Sequence, residues 1–162
     1  NYKCIIFHMT ELPFGRGGSP LQNLIIRGYK KTKITAIDVV ETLDAGDIYC
    51  ESSLNLNGRA QEIYENMSEK IYQLIKKIIK GNFKKKKQKG KPSFFKRRTA
   101  LQSKLPQNIS INEIHDHIRM LDAEEYPNSY IEYGDLKISF SKANYFDNKV
   151  TVTAEIKKKN YV

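Results

Sequence analysis

Cysteine is scarce in this chain. Cys4 and Cys50 are the only two, with no spaced framework around them, which excludes a disulfide scaffold and a cysteine-rich zinc site. It fits ordinary burial in a reducing, cytoplasmic setting. Long apolar runs are missing as well: none approaches the roughly 20 residues of a membrane span, so no membrane partner is expected. The chain opens NYKCII, almost directly in a strand, with neither an initiator Met nor the charged and apolar regions of a signal peptide. It reads as the later part of something longer. Acid is missing from one stretch. Lys76 to Arg98 holds 12 of the 28 basic residues and no Asp or Glu, and the remaining 16 basic residues face 18 acids. The net charge of +10 is therefore local, and such a block reads first as a solvated connector and second as a nucleic-acid contact.

The 162 residues, 40% hydrophobic and 10% aromatic, suffice for one compact lobe and a smaller appendage and argue against global disorder. Lys3 to Phe7 reads as a buried strand that delivers His8 into a Gly- and Pro-rich loop, Met9 to Gly18. Ser19 then reads as an N-cap, Pro20 as the first helical residue, and Leu21, Leu24 and Ile25 as an apolar stripe closed by Gly28. Free amides at that N-terminus would favour an anionic or carbonyl-bearing ligand. Lys33 to Val40 and Ile48 to Leu54 read as strands around the turn Glu41 to Gly46. A long helix follows Asn57 and Gly58, with Ala60, Ile63, Tyr64, Met67, Ile71, Leu74, Ile75 and Ile78 at helical spacing and Gly81 at its end.

Phe83 to Lys91 has no hydrophobic period and reads as a linker, and Ser93 to Arg98 as a short strand. Ser110 and Glu113 form a capping box before another helix. His115 and His117 stand two residues apart on it, so they splay rather than pair and no metal is expected. Ser129 to Tyr133, Leu136 to Lys142 and Lys149 to Lys157 read as an antiparallel unit with turns at Gly134-Asp135 and Asp147-Asn148. The alternation of Ile138 and Phe140, and of Val150, Val152, Ala154 and Ile156, predicts one packed face.

The candidate chemistry is His8 and Asp44, two polar groups at strand ends with one helix and one strand between them. A carboxylate beside an imidazole favours the protonated ring, a cation that can stabilise an oxyanion or donate a proton. On spacing alone a satisfied structural histidine competes with that reading.

The surrounding residues add a family. From His8 the chain carries Pro13, Arg16, Gly17, Pro20 and Gln22 in the places of the signature H-x-S-L-L-P-x-x-R-G-x-x-P-x-Q, with Thr10 for the serine. Thr32, Ile34 and Thr35, then Leu43, Asp44, Gly46, Asp47 and Ile48, match the T-x-V-T and L-D-x-G-D-I blocks. On these residues the chain resembles the folate-dependent formyltransferases, in their methionyl-tRNA formyltransferase branch, over about residues 3–81. The later FKRR and IRMLDAEEYP segments resemble the start and first helix of that branch's C-terminal domain.

The resemblance implies an α/β fold: the C-terminal part of a Rossmann-like open-sheet catalytic domain over 1–82, a basic linker over 83–106, and a small α+β domain over 107–162. It implies formyl transfer from the cosubstrate 10-formyltetrahydrofolate to a primary amine. His8 would stabilise the oxyanion or protonate the leaving nitrogen, and Asp44 would orient His8. Val40, Leu43 and Gly46 would line the pterin pocket, and Thr10, Arg16, Gly17 and Gly18 would contact the acceptor or support that wall. The balance of charge outside the linker favours an amino sugar on a nucleotide carrier as acceptor. Methionyl-tRNA is the alternative through the basic linker, and a non-catalytic binding module is a third reading; a homodimer stays open. Two departures stand out. Ile6 occupies the place of the family's asparagine oxyanion donor, so a backbone amide or Thr10 replaces it, or the activity is reduced. The family's preceding βα units are also absent from the chain, which therefore reads as a partial formyltransferase.

Overall fold

Three β-branched runs build the principal sheet. The computed structural model describes residues 3–81, 83–124 and 126–159. Asn82, which ends the first expected range, Glu125 of the IRMLDAEEYP segment and the extreme termini lie outside the described residues. In chain order the elements are β1 (Ile5–His8), β2 (Arg16–Gly17), α1 (Pro20–Ile25), β3 (Lys31–Asp38), β4 (Ile48–Asn55), α2 (Ala60–Lys80) and β5 (Phe94–Phe95). A 3-10 turn (Ala100–Ser103), α3 (Ile111–Arg119), β6 (Ser129–Tyr133), β7 (Leu136–Phe146) and β8 (Lys149–Lys158) follow.

β3 lies between β1 and β4 and pairs antiparallel with both. Its Ile34, Thr35, Ala36 and Ile37 are all fully buried, as a strand covered on both faces requires. β2 and β5 form a two-stranded parallel pair, and β6, β7 and β8 an antiparallel sheet in that order. The open-sheet α/β reading holds. Among the described residues, no helix is long and apolar enough to cross a membrane.

One core joins these pieces. Leu21, Leu24 and Ile25 of α1 meet Ile34, Leu54, Leu56, Ile63, Leu74 and Phe95, and Met120 and Leu121 beyond α3 enter the same cluster. α2 begins at Ala60, two residues later than Gly58, because the Arg59 N–H is capped by Glu62 Oε2 at 2.9 Å. Its apolar stripe is buried at the start and emerges at the end, where Ile75 and Ile79 are exposed. Ser110 caps α3 as expected, accepting from the Glu113 N–H while Glu113 accepts from the Ser110 N–H at 2.8 Å.

Three sequence expectations need correction. Ser19 does not cap α1 with its side chain: it is left-handed at φ 49, and its hydroxyl accepts the Arg98 N–H at 3.0 Å. The Gly18 N–H, just before Ser19, is taken by the Phe95 carbonyl at 3.1 Å. The apolar alternation of β8 does not pack, since β8 is an edge strand whose Val152 and Ile156 are exposed. Cys4 is exposed and Cys50 only half-buried.

His117 is buried, with Nδ1 2.9 Å from Ser129 Oγ. Burial, reinforced by the charge of Arg98, pushes its imidazole down from 6.5 to about 4. Between those values the unfolded chain holds a proton that the folded chain does not, so stability falls as pH drops through the window from 6.5 to 4. We expect lowering the pH from 7 to 4.5 to cost about 2–3 kcal/mol through this group. Urea denaturation of His117→Gln at the two pH values should show that much less pH sensitivity than wild type. His115, also lowered by burial, contributes equally to both proteins and cancels from the comparison.

Candidate active site

Strand alternation sends Phe7 toward the core and leaves Ile6 and His8 on the opposite face of β1. His8, at the last position of β1, is 7% exposed. Its Nε2 lies 2.8 Å from the Gly15 carbonyl, and because a carbonyl only accepts, Nε2 carries the proton in that bond. Nδ1 lies 3.5 Å from Asp44 Oδ2, an ion-pair approach longer than a good hydrogen bond.

Asp44 does not reach His8 from the end of a neighbouring parallel strand. β1 and β3 are antiparallel, with His8 opposite Thr35 and Ile5 opposite Asp38, so the carboxyl end of β3 lies at the far end of β1. The 39–47 loop turns back instead. It is anchored where the Val39 N–H meets the Cys4 carbonyl and the Asp38 N–H meets the Asp47 carbonyl, each at 3.1 Å. Gly46 makes the return feasible: a Cβ there would stand 1.9 Å from the Asp38 carbonyl oxygen. Asp44 itself is left-handed at φ 51, a conformation that Asp and Asn tolerate better than most residues. Its buried carboxylate accepts the Gly17 N–H at 2.8 Å.

The basic stretch is tied to this site along its length. Lys85 Nζ donates to Asp38 Oδ2 at 2.6 Å. Burial opposes ionisation of Asp38, but Lys85 and Tyr49 outweigh it and hold the carboxyl below its ordinary range. Lys86 and Ile48 exchange backbone hydrogen bonds at 2.7 and 2.9 Å. Gln88 reaches inward to Arg16, Asp44 and Gly46. Ser93 Oγ accepts the Gly15 N–H at 2.9 Å and the Ser93 carbonyl accepts the Arg16 N–H at 2.9 Å. A stretch read as a solvated connector is thus a strap laid over the site, its lysines outward and its backbone engaged.

Of the sequence-predicted residues, the structure brings together His8, Asp44, Arg16 and Gly17. Gly17 and Gly18 pack against the strap, where a Cβ would meet the Phe95 carbonyl oxygen at 2.4 Å and the Arg97 Cβ at 2.6 Å. Thr10 is fully buried beneath Gly15, and its hydroxyl has no hydrogen-bond partner among the described residues. Val40 and Leu43 are exposed, whereas Gly46 is buried. Gln88 and Ser93 were not among the expected residues. One signal was available for Gln88: it is the only residue between Lys84 and Lys91 that is neither Lys nor Gly.

Known proteins resemble the chain over nearly its whole length. Residues 100–157 match the family described as methionyl-tRNA formyltransferase, C-terminal domain. The solved methionyl-tRNA formyltransferase from Clostridium thermocellum is 44% identical and superposes with a TM-score of 0.95, over 98% of this chain and 70% of that one. The methionyl-tRNA formyltransferase of Mycoplasma capricolum is 30% identical over 90% of this chain and 48% of its own length. The chain spans about half the length of such relatives. An N-formyltransferase from Helicobacter canadensis, solved with folinic acid and dTDP-3-aminofucose, shares the fold with a TM-score of 0.66 at 19% identity, over 97% of this chain and 66% of that one.

Asp44→Asn keeps an acceptor for the Gly17 N–H and tolerates the left-handed backbone, whereas Asp44→Ala loses both. We expect Asp44→Ala to destabilise the chain by about 1–3 kcal/mol, the usual effect of leaving a buried donor unpaired. Asp44→Asn should lose clearly less, and thermal or urea unfolding of the two variants side by side measures the order.

Proposed function

This chain belongs to the methionyl-tRNA formyltransferase family, and from that membership we propose that it carries the acid–base pair of an N-formyltransferase acting on the amino group of methionyl-tRNA. The observation that carries the proposal is the His8–Asp44 pair, a buried imidazole held between a carboxylate and the Gly15 carbonyl.

Three residues offer apolar surface to a folate: Ile6, Val40 and Leu43 are exposed by 38%, 48% and 61%, side chains of the kind a flat heterocycle packs against. 10-Formyltetrahydrofolate supplies a formyl group already activated on nitrogen. His8 holds a proton on Nε2, and release from the Gly15 carbonyl turns that N–H toward an oxygen or nitrogen at the mouth of the site. Asp44 orients the ring through Nδ1. Ile6 offers no polar atom, so electrophilic assistance falls to His8 and to backbone amides.

The tRNA acceptor has better support than the nucleotide-linked amino sugar. The amino-sugar reading rested on the charge outside the linker, which treated the linker as separate from the site, whereas the strap is hydrogen-bonded to Asp44, Gly46 and Arg16. The sugar enzymes resemble the chain at only 19–20% identity, a likeness of fold.

Given 10-formyltetrahydrofolate and methionyl-tRNA, full-length protein containing this chain should form formylmethionyl-tRNA, and His8→Ala should lower the turnover by about 10²- to 10⁴-fold. Affinity for tRNA should fall steeply with salt, as phosphate contacts require. Unchanged turnover in His8→Ala would remove the catalytic role, and preferential formylation of a nucleotide-linked amino sugar would restore the sugar reading.

A further inference from the structure

The Gln88 side chain uses its whole hydrogen-bonding capacity on the site. Its amide oxygen accepts from Arg16 Nε and Nη2 at 3.2 and 2.7 Å. Its amide nitrogen donates to the carbonyls of Asp44 and Gly46 at 2.8 and 2.9 Å. An amide has two acceptor lone pairs and two donor hydrogens, and all four are engaged. Neither Glu nor Lys could replace it, because a carboxylate has no donor and an ammonium no acceptor.

This arrangement has two effects on the pair. It holds the backbone that follows left-handed Asp44, from the Asp44 carbonyl to the Gly46 carbonyl, and so limits where the carboxylate faces His8. It also occupies one edge of the Arg16 guanidinium with a neutral acceptor. Arg16 precedes Gly17, whose N–H already binds Asp44, yet it makes no ion pair among the described residues. The Asp44 carboxylate is left to Gly17 and His8.

We propose that Gln88 is a positioning residue: its amide clips Arg16 to the Asp44–Gly46 turn and so keeps the Asp44 carboxylate on His8 rather than on Arg16. Its catalytic consequence rests on the formyl-transfer reading, while its geometric consequence does not.

The test uses the full chain labelled with ¹³C in the histidine rings, the three signals assigned by single His→Gln variants. Gln88→Ala should move the His8 ring signal by more than its linewidth and leave His115 and His117 in place. Those two signals report folding in the same spectrum. Gln88→Glu, nearly the same size, keeps an acceptor for Arg16 but loses both carbonyl anchors, and it too should move His8. It decides the matter if the alanine variant fails to fold. Lys87→Ala, on the same strap, should leave all three signals unchanged. A His8 signal coincident with wild type in folded Gln88→Glu overturns the proposal, as would a Lys87→Ala shift as large as that of Gln88→Glu. In turnover the expected signature is a kcat lowered by about 10- to 100-fold with KM for the folate little changed, the pattern of a misplaced catalytic group. If full-length wild-type protein forms no formylated product, the formyl-transfer reading fails while the spectra of this chain still decide the role of Gln88.

Discussion

Asp44 is a carboxylate 8% exposed, and a charge taken that far from water is costly unless it is paired and hydrogen-bonded. Much of the local architecture follows from meeting that requirement. Its partner amide belongs to Gly17, which must come close, and Gly17 comes close only because it has no side chain to strike the Phe95 carbonyl. Phe95 belongs to β5, so the two-residue parallel pairing of β2 with β5 is what brings an N–H to the carboxylate. The second partner is His8, whose other nitrogen binds Gly15. Gly15 is in turn held by Ser93, two residues before Phe95. Both contacts of the imidazole are thus backed by the segment running from Lys85 to Phe95.

That segment could not hold its position if either end were loose, and both ends are fixed by other parts of the fold. At one end Lys85 and Lys86 bond to Asp38 and Ile48 at the junction of β3 and β4. At the other, Arg98 bonds to Ser19 and the Leu105 N–H to the Tyr130 carbonyl at 2.7 Å. The C-terminal part is joined to the same core. Gln22 Nε2 donates to Tyr64 Oη and to the Met120 carbonyl, both at 3.1 Å. Arg119 Nη1 donates to the carbonyls of Leu56 and Gly58 at 2.7 and 2.8 Å. The residues after the strap therefore hold it against the sheet and also close the base of the core.

The sequence carried those parts whose physics leaves a period or a fixed-offset signal. The stripe of α2 and the Ser110 box are of that kind. So are the two hairpin turns, where Gly134, Asp147 and Asn148 do take positive φ, as the two-residue loops of twisted hairpins demand. His8 and Asp44 were legible as a pair through the signature around them. Their route to each other was not, because antiparallel β1 and β3 give the same strand signals as parallel ones. Gln88 and Ser93 were hidden for a different reason. A segment held by backbone pairing and single polar contacts needs no apolar stripe, so it reads as solvated chain. β8 shows the converse, an alternation that marks a strand without revealing that its apolar face stays open.

The same blindness misdirected the reading of charge. Summed over the chain without its basic block, the residues are slightly acidic, and that sum argues against a polyanionic acceptor only if the block is elsewhere. A phosphate near a surface responds to charges within a Debye length, about 8 Å at physiological salt, and not to the formal total. Lys85 and Lys33 are spent on Asp38, Glu11 and Glu51. Lys84, Lys86, Lys87 and Lys89 have no ion-pair partner among the described residues and line a groove of about 620 Å³ beside Leu12 and Ile48. Because Gln88 stands among them and bonds to the Asp44 turn, these cations are held next to the candidate active site. The charge that bears on the proposed tRNA acceptor is therefore this local group of lysines and not the formal total over the rest of the chain.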